Sequence, residues 1–229
     1  MGGKNKQMSD IPYNIGLLKQ QIPASVKLVA VSKTKTVSEI LEAYNTGQRV
    51  FGENRVQELL SKKDLLPSDI EWHLIGHLQS NKVKHIVGFI SMIQSVDTFR
   101  LLEIINREAE QAGRVVDCLL QLHIAEEETK FGFSMKELHG GLQSPDFKSN
   151  DFVRICGVMG MATYTENTGQ IRHEFRYLLN CFKELKETYF SDKSYFNEIS
   201  MGMSGDFNIA LEEGTTILRI GSLIFGGRN

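Results

Sequence analysis

The stretch Lys27 to Gly47, KLVAVSKTKTVSEILEAYNTG, holds the unit from which the rest of the chain is built. Its first residues, Lys27 to Ser32, form a short apolar run of the kind that a parallel sheet buries on both faces. Thr36 and Glu39 then have the spacing of a capping box, in which a hydroxyl and a carboxylate each satisfy a backbone amide at a helix start. Leu41, Ala43 and Tyr44 follow, and Gly47 stops the helix. Strand, turn and helix in this order make one βα unit.

Apolar runs of the same kind recur outward from it, at Arg49 to Phe51, Glu71 to Ile75, Phe89 to Ser95, Cys118 to Ile124, Phe152 to Met159, Tyr195 to Met201 and Thr216 to Phe225. With the first they make eight, separated by helical stretches. Leu101, Leu102, Ile104, Ile105, Ala109 and Ala112 give a helix from Phe99 to Ala112 before Gly113. Asn167 to Glu187 is the longest helix, with Ile171, Phe175, Leu178, Phe182 and Leu185 on one face. Eight strands joined by helices predict an α/β fold, a (β/α)8 TIM barrel, and 229 residues suit one barrel of roughly 200 to 250 residues. Four residues follow Phe225, so no helix is expected after the eighth strand. Ser9 to Gln21, with Ile15, Leu17 and Leu18, is expected to supply cover as an extra N-terminal helix. Residues 1–8 are read as a flexible N-terminus and 9–229 as a single domain.

A chain with 41% hydrophobic and 24% charged residues can bury a core without metals or disulfides. The formal net charge of -2 and interspersed signs argue against nucleic acid and anionic lipid as partners. Cys118, Cys156 and Cys181 sit in apolar stretches with no CxxC spacing, which points to a reducing compartment. Residues 1–7 lack the apolar centre of a signal peptide, and no run suits a membrane span, so a cytoplasmic location is expected.

A barrel gathers its chemistry at the C-terminal strand ends, where Lys33 follows a buried-looking strand. A lysine there loses hydration, which raises the neutral-amine fraction able to attack an aldehyde. A solvated strand-end lysine is the plainer alternative, and Lys35 competes for the reactive role. Ser200-Met201-Gly202-Met203-Ser204-Gly205-Asp206 ends the seventh strand and leads to a short helix through Leu211, while Arg219-Ile220-Gly221-Ser222 is placed on the eighth. Glycine amides, serine hydroxyls and a helix start suit a phosphate, and barrels often hold one after strands seven and eight.

Five blocks, Val29 to Lys35, Phe51 to Glu58, Trp72 to Lys82, Ser200 to Asp206 and Arg219 to Gly226, resemble the pyridoxal phosphate homeostasis protein family. The resemblance spans about Lys27 to Gly226 in family order. It implies a barrel similar to the N-terminal domain of alanine racemase and to the barrel of ornithine decarboxylase, binding pyridoxal 5'-phosphate. By the same resemblance Lys33 is the Schiff-base lysine, Ser200, Met203, Ser204, Gly221 and Ser222 lie around the phosphate, and Arg219 faces the pyridine nitrogen. Asn54 and His77 fall on matching loops near the cofactor. Thr36 stands where many members have proline, and Gly205 at a variable position; neither removes a proposed contact.

An arginine at the ring nitrogen discourages its protonation and weakens the electron sink. Racemase-like enzymes also carry a second domain with an acid/base residue, whereas this chain ends at Asn229. Both features favour storage, delivery or control of the cofactor for pyridoxal phosphate dependent apoenzymes over turnover, in a monomer or weak dimer. The alternatives are a pyridoxal phosphate dependent amino-acid racemase or lyase, and a cofactor-free aldolase using Lys33.

Other constellations carry less. His73 and His77 lack an acidic or Cys partner for zinc, so no metal is expected. Glu126, Glu127 and Glu128 read as a solvated loop, and Thr129 to Gly132 as a segment able to cover the barrel mouth. Met159, Met161, Met201 and Met203 read as core filling more readily than ring packing. GxSxG, HExxH, GxxxxGK[ST] and EF-hand patterns are all missing.

Overall fold

Eight short apolar runs become eight parallel strands that close in chain order. They are β1 (Lys27–Val31), β2 (Val50–Glu53), β3 (Glu71–Leu74), β4 (Met92–Val96), β5 (Val116–Gln121), β6 (Val153–Met159), β7 (Glu198–Ser200) and β8 (Ile217–Ile220). The computed structural model describes residues 10–126, 131–144, 147 and 151–227. Residues 1–8, read above as flexible, and Glu127, Glu128, Thr129 and Lys130 of the acidic and mouth-covering segments lie outside the described residues. Closure is made by β1 against β8, paired from Lys27 with Ile217 through Ala30 with Ile220.

The helices are α1 (Ile11–Gln21), α2 (Val37–Asn45), α3 (Val56–Lys63), α4 (Phe99–Gln111), α5 (Met135–Leu142), α6 (Thr168–Tyr189), α7 (Phe207–Glu212) and α8 (Ser222–Phe225), with a 3-10 turn at Ser80–His85. Both bonds of the Thr36/Glu39 capping box form, and Ser134 with Glu137 makes a second box at the start of α5. Asn167 caps α6, whose Ile171, Phe175, Leu178, Phe182 and Leu185 are buried as their spacing requires. No described helix is long and apolar enough to cross a membrane.

The eighth run departs from expectation. Its strand ends at Ile220, Ser222–Phe225 is helical, and the expectation of nothing helical beyond the strand is corrected. Leu223, Ile224 and Phe225 are too few for apolar periodicity to separate a strand from a helical turn. α8 buries Ile224 and Phe225, and α1 packs on it and on α2, with Asn14 Nδ2 donating to Ile224 O at 3.0 Å. The N-terminal helix thus takes the outer place beside the β8–β1 seam. The seventh strand is shorter than its run because Phe196 stacks between Phe182 and Phe190 of the outer layer, at 5.1 and 4.2 Å. The second continues past Phe51 to Glu53, which carries a carboxylate into the barrel wall.

Two apolar layers hold the structure. One lies between strands and helices; the other fills the barrel interior with Val29, Met92, Leu119, Cys156, Met159 and Ile217. Inward positions alternate along each strand. Two residues beyond Met92 and Ile217, toward the C-terminal strand ends, the interior therefore turns polar at Gln94 and Arg219. Gly157 allows β6 to approach β7, since a Cβ there would sit 1.8 Å from Glu198 O.

Candidate functional site

Where the chain leaves β1, Ser32 is buried and Lys33 half-buried, and Thr34 turns into the left-handed region at φ 64. Thr34 is the only described non-glycine residue there, a conformation that costs an L residue roughly 1–2 kcal/mol. Its N–H donates to Glu58 Oε1 at 2.5 Å, and Glu58 in turn accepts from Lys62 Nζ at 2.6 Å. Lys62 Nζ also donates to Ser32 O and Glu53 Oε1, both at 2.9 Å, while Ser32 Oγ donates to Glu53 Oε1 at 2.6 Å. Burial pushes the Glu53 carboxyl above the usual carboxylate range, against the hydrogen bonds from Ser32 and Lys62.

Lys33 lines a cavity of about 440 Å³ at the C-terminal ends of the strands. The volume lies within the roughly 300–1,000 Å³ usual for small-molecule sites. Val31, Ile75, Met161, Ala162 and Ile171 supply apolar wall, and Lys35, Asn54, Ser204, Arg219 and Ser222 supply polar groups. Lys35 is committed elsewhere, its Nζ donating to Phe225 O at 3.1 Å and pairing with Glu39 at 3.4 Å.

Arg219 reaches the cavity from inside the barrel, only 3% exposed. Its Nη1 donates to Ser200 Oγ at 2.5 Å and its Nη2 to Gly160 O at 2.9 Å. Ser200 Oγ donates to Gln94 Oε1 at 2.7 Å, and the Gln94 amide lies 2.8 Å from His73 Nδ1. Every hydroxyl and amide on this line therefore has one direction of donation, ending on a neutral imidazole. Burial holds the His73 pKa down at about 3, aided by the Lys27 charge. It also brings Arg219 down to about 10, opposed by Asp206, which leaves a cation at neutral pH.

The loop after β7 forms the third side. Gly202 has φ 91, and a Cβ on it would lie 2.5 Å from Ala210 Cβ. Asp206 Oδ1 accepts from Met203 N at 2.5 Å, and Ser204 Oγ accepts from Leu223 N at 3.4 Å. Burial raises the Asp206 carboxyl above its usual range despite that bond and nearby Arg219.

Of the residues singled out in the sequence, Lys33, Asn54, Met203, Ser204, Arg219, Gly221 and Ser222 line this one cavity. Ser200 and His77 do not. Ser200 is fully buried one layer below, beneath Arg219. His77 Nδ1 bonds Asp97 Oδ2 at 2.9 Å and its ring stacks on Phe131, centroids 4.3 Å apart. His73 and His77 point to different partners, and no metal-holding group occurs among the described residues. Met161 and Met203 line the cavity, Met159 fills the barrel interior and Met201 joins the outer core. Sequence reasoning passed over Gln94, Glu53, Glu58 and Lys62. The only signal for Gln94 was an amide amid an apolar run, and α3 gave no outward sign that Lys62 turns inward.

An amine, a buried guanidinium and a loop rich in glycine and serine around an apolar wall suit a planar, anionic small molecule that carries a carbonyl. The family model described as "Alanine racemase, N-terminal domain" matches residues 7–229. A protein of Aquifex aeolicus named pyridoxal phosphate homeostasis protein is 42% identical over 207 residues, covering 88% of this chain and 87% of its own. A human protein of that name is 36% identical over 215 residues, covering 89% and 77%. The solved structure of PipY from Synechococcus elongatus PCC7942 with PLP bound is 36% identical, with a TM-score of 0.86 over 94% of this chain and 100% of that one. An alanine racemase of Clostridium difficile 630, 13% identical with a TM-score of 0.73, shares the fold; this chain spans 60% of its length.

Proposed function

The chain belongs to the pyridoxal phosphate homeostasis protein family, and from that premise we propose that its cavity binds pyridoxal 5'-phosphate for storage, delivery or control. One observation carries the reading: Lys33 and the buried Arg219 line the same cavity as the segments Met203 to Asp206 and Gly221 to Ser222, which supply its glycines and serines. Bound there, the cofactor supplies an aldehyde that an amine can capture as a Schiff base, and a ring able to delocalise charge.

Lys33 is the amine: it follows the end of β1, lines the cavity, and stands at the position that resembles the family's Schiff-base lysine. Ser204, Ser222 and the Gly221 backbone hold the phosphate. Arg219, cationic at neutral pH, opposes protonation of whatever basic nitrogen lies against it, and its donors to Ser200 and Gly160 keep the guanidinium from turning away. A site arranged in this way favours holding the cofactor over carbanion chemistry. Apoenzymes that need the cofactor are the proposed recipients, in the cytoplasm, from a monomer or weak dimer. The racemase or lyase alternative has support from shared fold alone, and a cofactor-free aldolase leaves the phosphate-suited segment without a role.

Borohydride reduction of the protein with pyridoxal 5'-phosphate, followed by peptide mass spectrometry, is expected to find the adduct on Lys33. Lys33→Ala should lose both adduct and visible absorption band, and Lys35→Ala should keep them. Amino-acid racemisation or decarboxylation at about 1 per second or faster would replace the carrier reading with an enzyme.

A further inference from the structure

We propose that Lys62 is a positioning residue for Lys33: by holding Ser32 directly and Thr34 through Glu58, it aims the Lys33 amine into the cavity. The inference rests on the proposed cofactor site. Its starting point is a buried cation that the binding residues leave unexplained, 7% exposed and on a helix whose other inward residues are Val56 and Leu59. An ammonium has three donors, and all three are used, on Ser32 O, Glu53 Oε1 and Glu58 Oε1. Two of these partners act on the residues that flank the lysine at issue. Ser32 precedes it, and Glu58 accepts the N–H of Thr34, which follows it.

Stability alone does not account for the arrangement. Buried ion pairs are commonly matched or bettered by apolar groups of similar shape, and Glu53 Oε2 is left buried without a hydrogen-bond partner. Thr34 also sits in a backbone region that persists only where its surroundings over-determine it. The Glu58 bond supplies that restraint. Lys62 lets the Glu58 carboxylate approach the buried Glu53 carboxyl, and without the ammonium the two acids would separate and the Thr34 amide would lose its acceptor. Residues 32–34 would then relax toward ordinary backbone angles, and the Lys33 side chain would leave the cavity wall at a different angle. Capture of an aldehyde depends steeply on such alignment, since a misplacement of about 1 Å can cost on the order of 100-fold.

The test separates aim from mere cavity integrity by using two ligands. Pyridoxine 5'-phosphate carries an alcohol in place of the aldehyde, so it reports the phosphate and ring contacts without Lys33 chemistry. In Lys62→Met, its calorimetric affinity should stay within about 3-fold of the unsubstituted protein, while the rate of borohydride-trapped Lys33 adduct with pyridoxal 5'-phosphate falls about 10-fold or more. Glu58→Ala, at a half-buried helix position where alanine favours helix, should show the same split and covers the case that Lys62→Met does not fold. Glu58→Gln keeps an acceptor for Thr34 and should lose less than Glu58→Ala. Unchanged capture rates in the foldable variants overturn the inference alone. Equal loss of both ligands also overturns it, in favour of a general structural role. No Lys33 adduct in the unsubstituted protein overturns the functional reading, and the inference with it.

Discussion

Replacing Ser200 with alanine should damage the fold more than the phosphate contacts, the reverse of what its place beside the glycine and serine loop suggests. Its hydroxyl accepts from Arg219 Nη1 at 2.5 Å and donates to Gln94 Oε1 at 2.7 Å, in a position with no solvent exposure. Deleting one oxygen leaves a charged donor and an amide acceptor unsatisfied, and a buried orphan costs about 1–3 kcal/mol, more when charged. The vacated space is smaller than a water molecule requires, so solvent does not restore the bonds. A destabilisation of about 3 kcal/mol follows, and for a chain of this size it lowers Tm by about 6–12 °C. Ser204→Ala is the matched control: Ser204 is half-buried at the cavity wall, water replaces its lost hydroxyl, and its stability change should stay within about 0.5 kcal/mol. Urea unfolding of both variants stripped of cofactor, with calorimetric titration of pyridoxal 5'-phosphate, measures the contrast. The reasoning is refuted if Ser200→Ala unfolds within 0.5 kcal/mol of the parent, or if Ser204→Ala proves the less stable of the two.

Two further perturbations test the same interior. His73 has a folded pKa of about 3 against 6.5 unfolded, so the unfolded chain binds the extra proton below neutrality. Stability should therefore be complete above pH 6.5 and decline as pH falls toward 3, by about 2 kcal/mol at pH 5 from this residue. Urea midpoints between pH 7 and 5 should flatten in His73→Gln, and an unchanged slope would count against a buried neutral imidazole. Gly202→Ala combines an unfavourable φ of 91 with a Cβ only 2.5 Å from Ala210 Cβ, which should cost about 2–4 kcal/mol and weaken phosphate binding. Thermal melts and titration with inorganic phosphate would show it, and a melting temperature equal to the parent's would contradict the close approach.

Legibility in the sequence followed the range of the interactions. The Thr36/Glu39 box and the stripe from Ile171 to Leu185 are set within a few residues, and both formed as read. Strand ends were less legible where a loop residue packs on a distant helix, as Phe196 does on Phe182. Three apolar residues at 223–225 satisfy either periodicity, and only contact with α1 selects the helical turn. Seven of the nine proposed site residues meet in the cavity because they occupy strand ends or the loops directly after them.

The sequence by itself determined that β-branched runs alternate with amphipathic helices, and which blocks carry the lysine, the arginine and the glycine and serine segments. Those features are local, held in side-chain period, capping chemistry and residue type. Closure of the barrel decided the rest. It seats Ser200 under Arg219 instead of beside Ser204, joins Gln94 to His73, and turns Lys62 inward beneath Ser32. Residues 73, 94, 200 and 219 come from four different strands, so no local rule places them in contact; the inward pleat of a closed eight-stranded ring does.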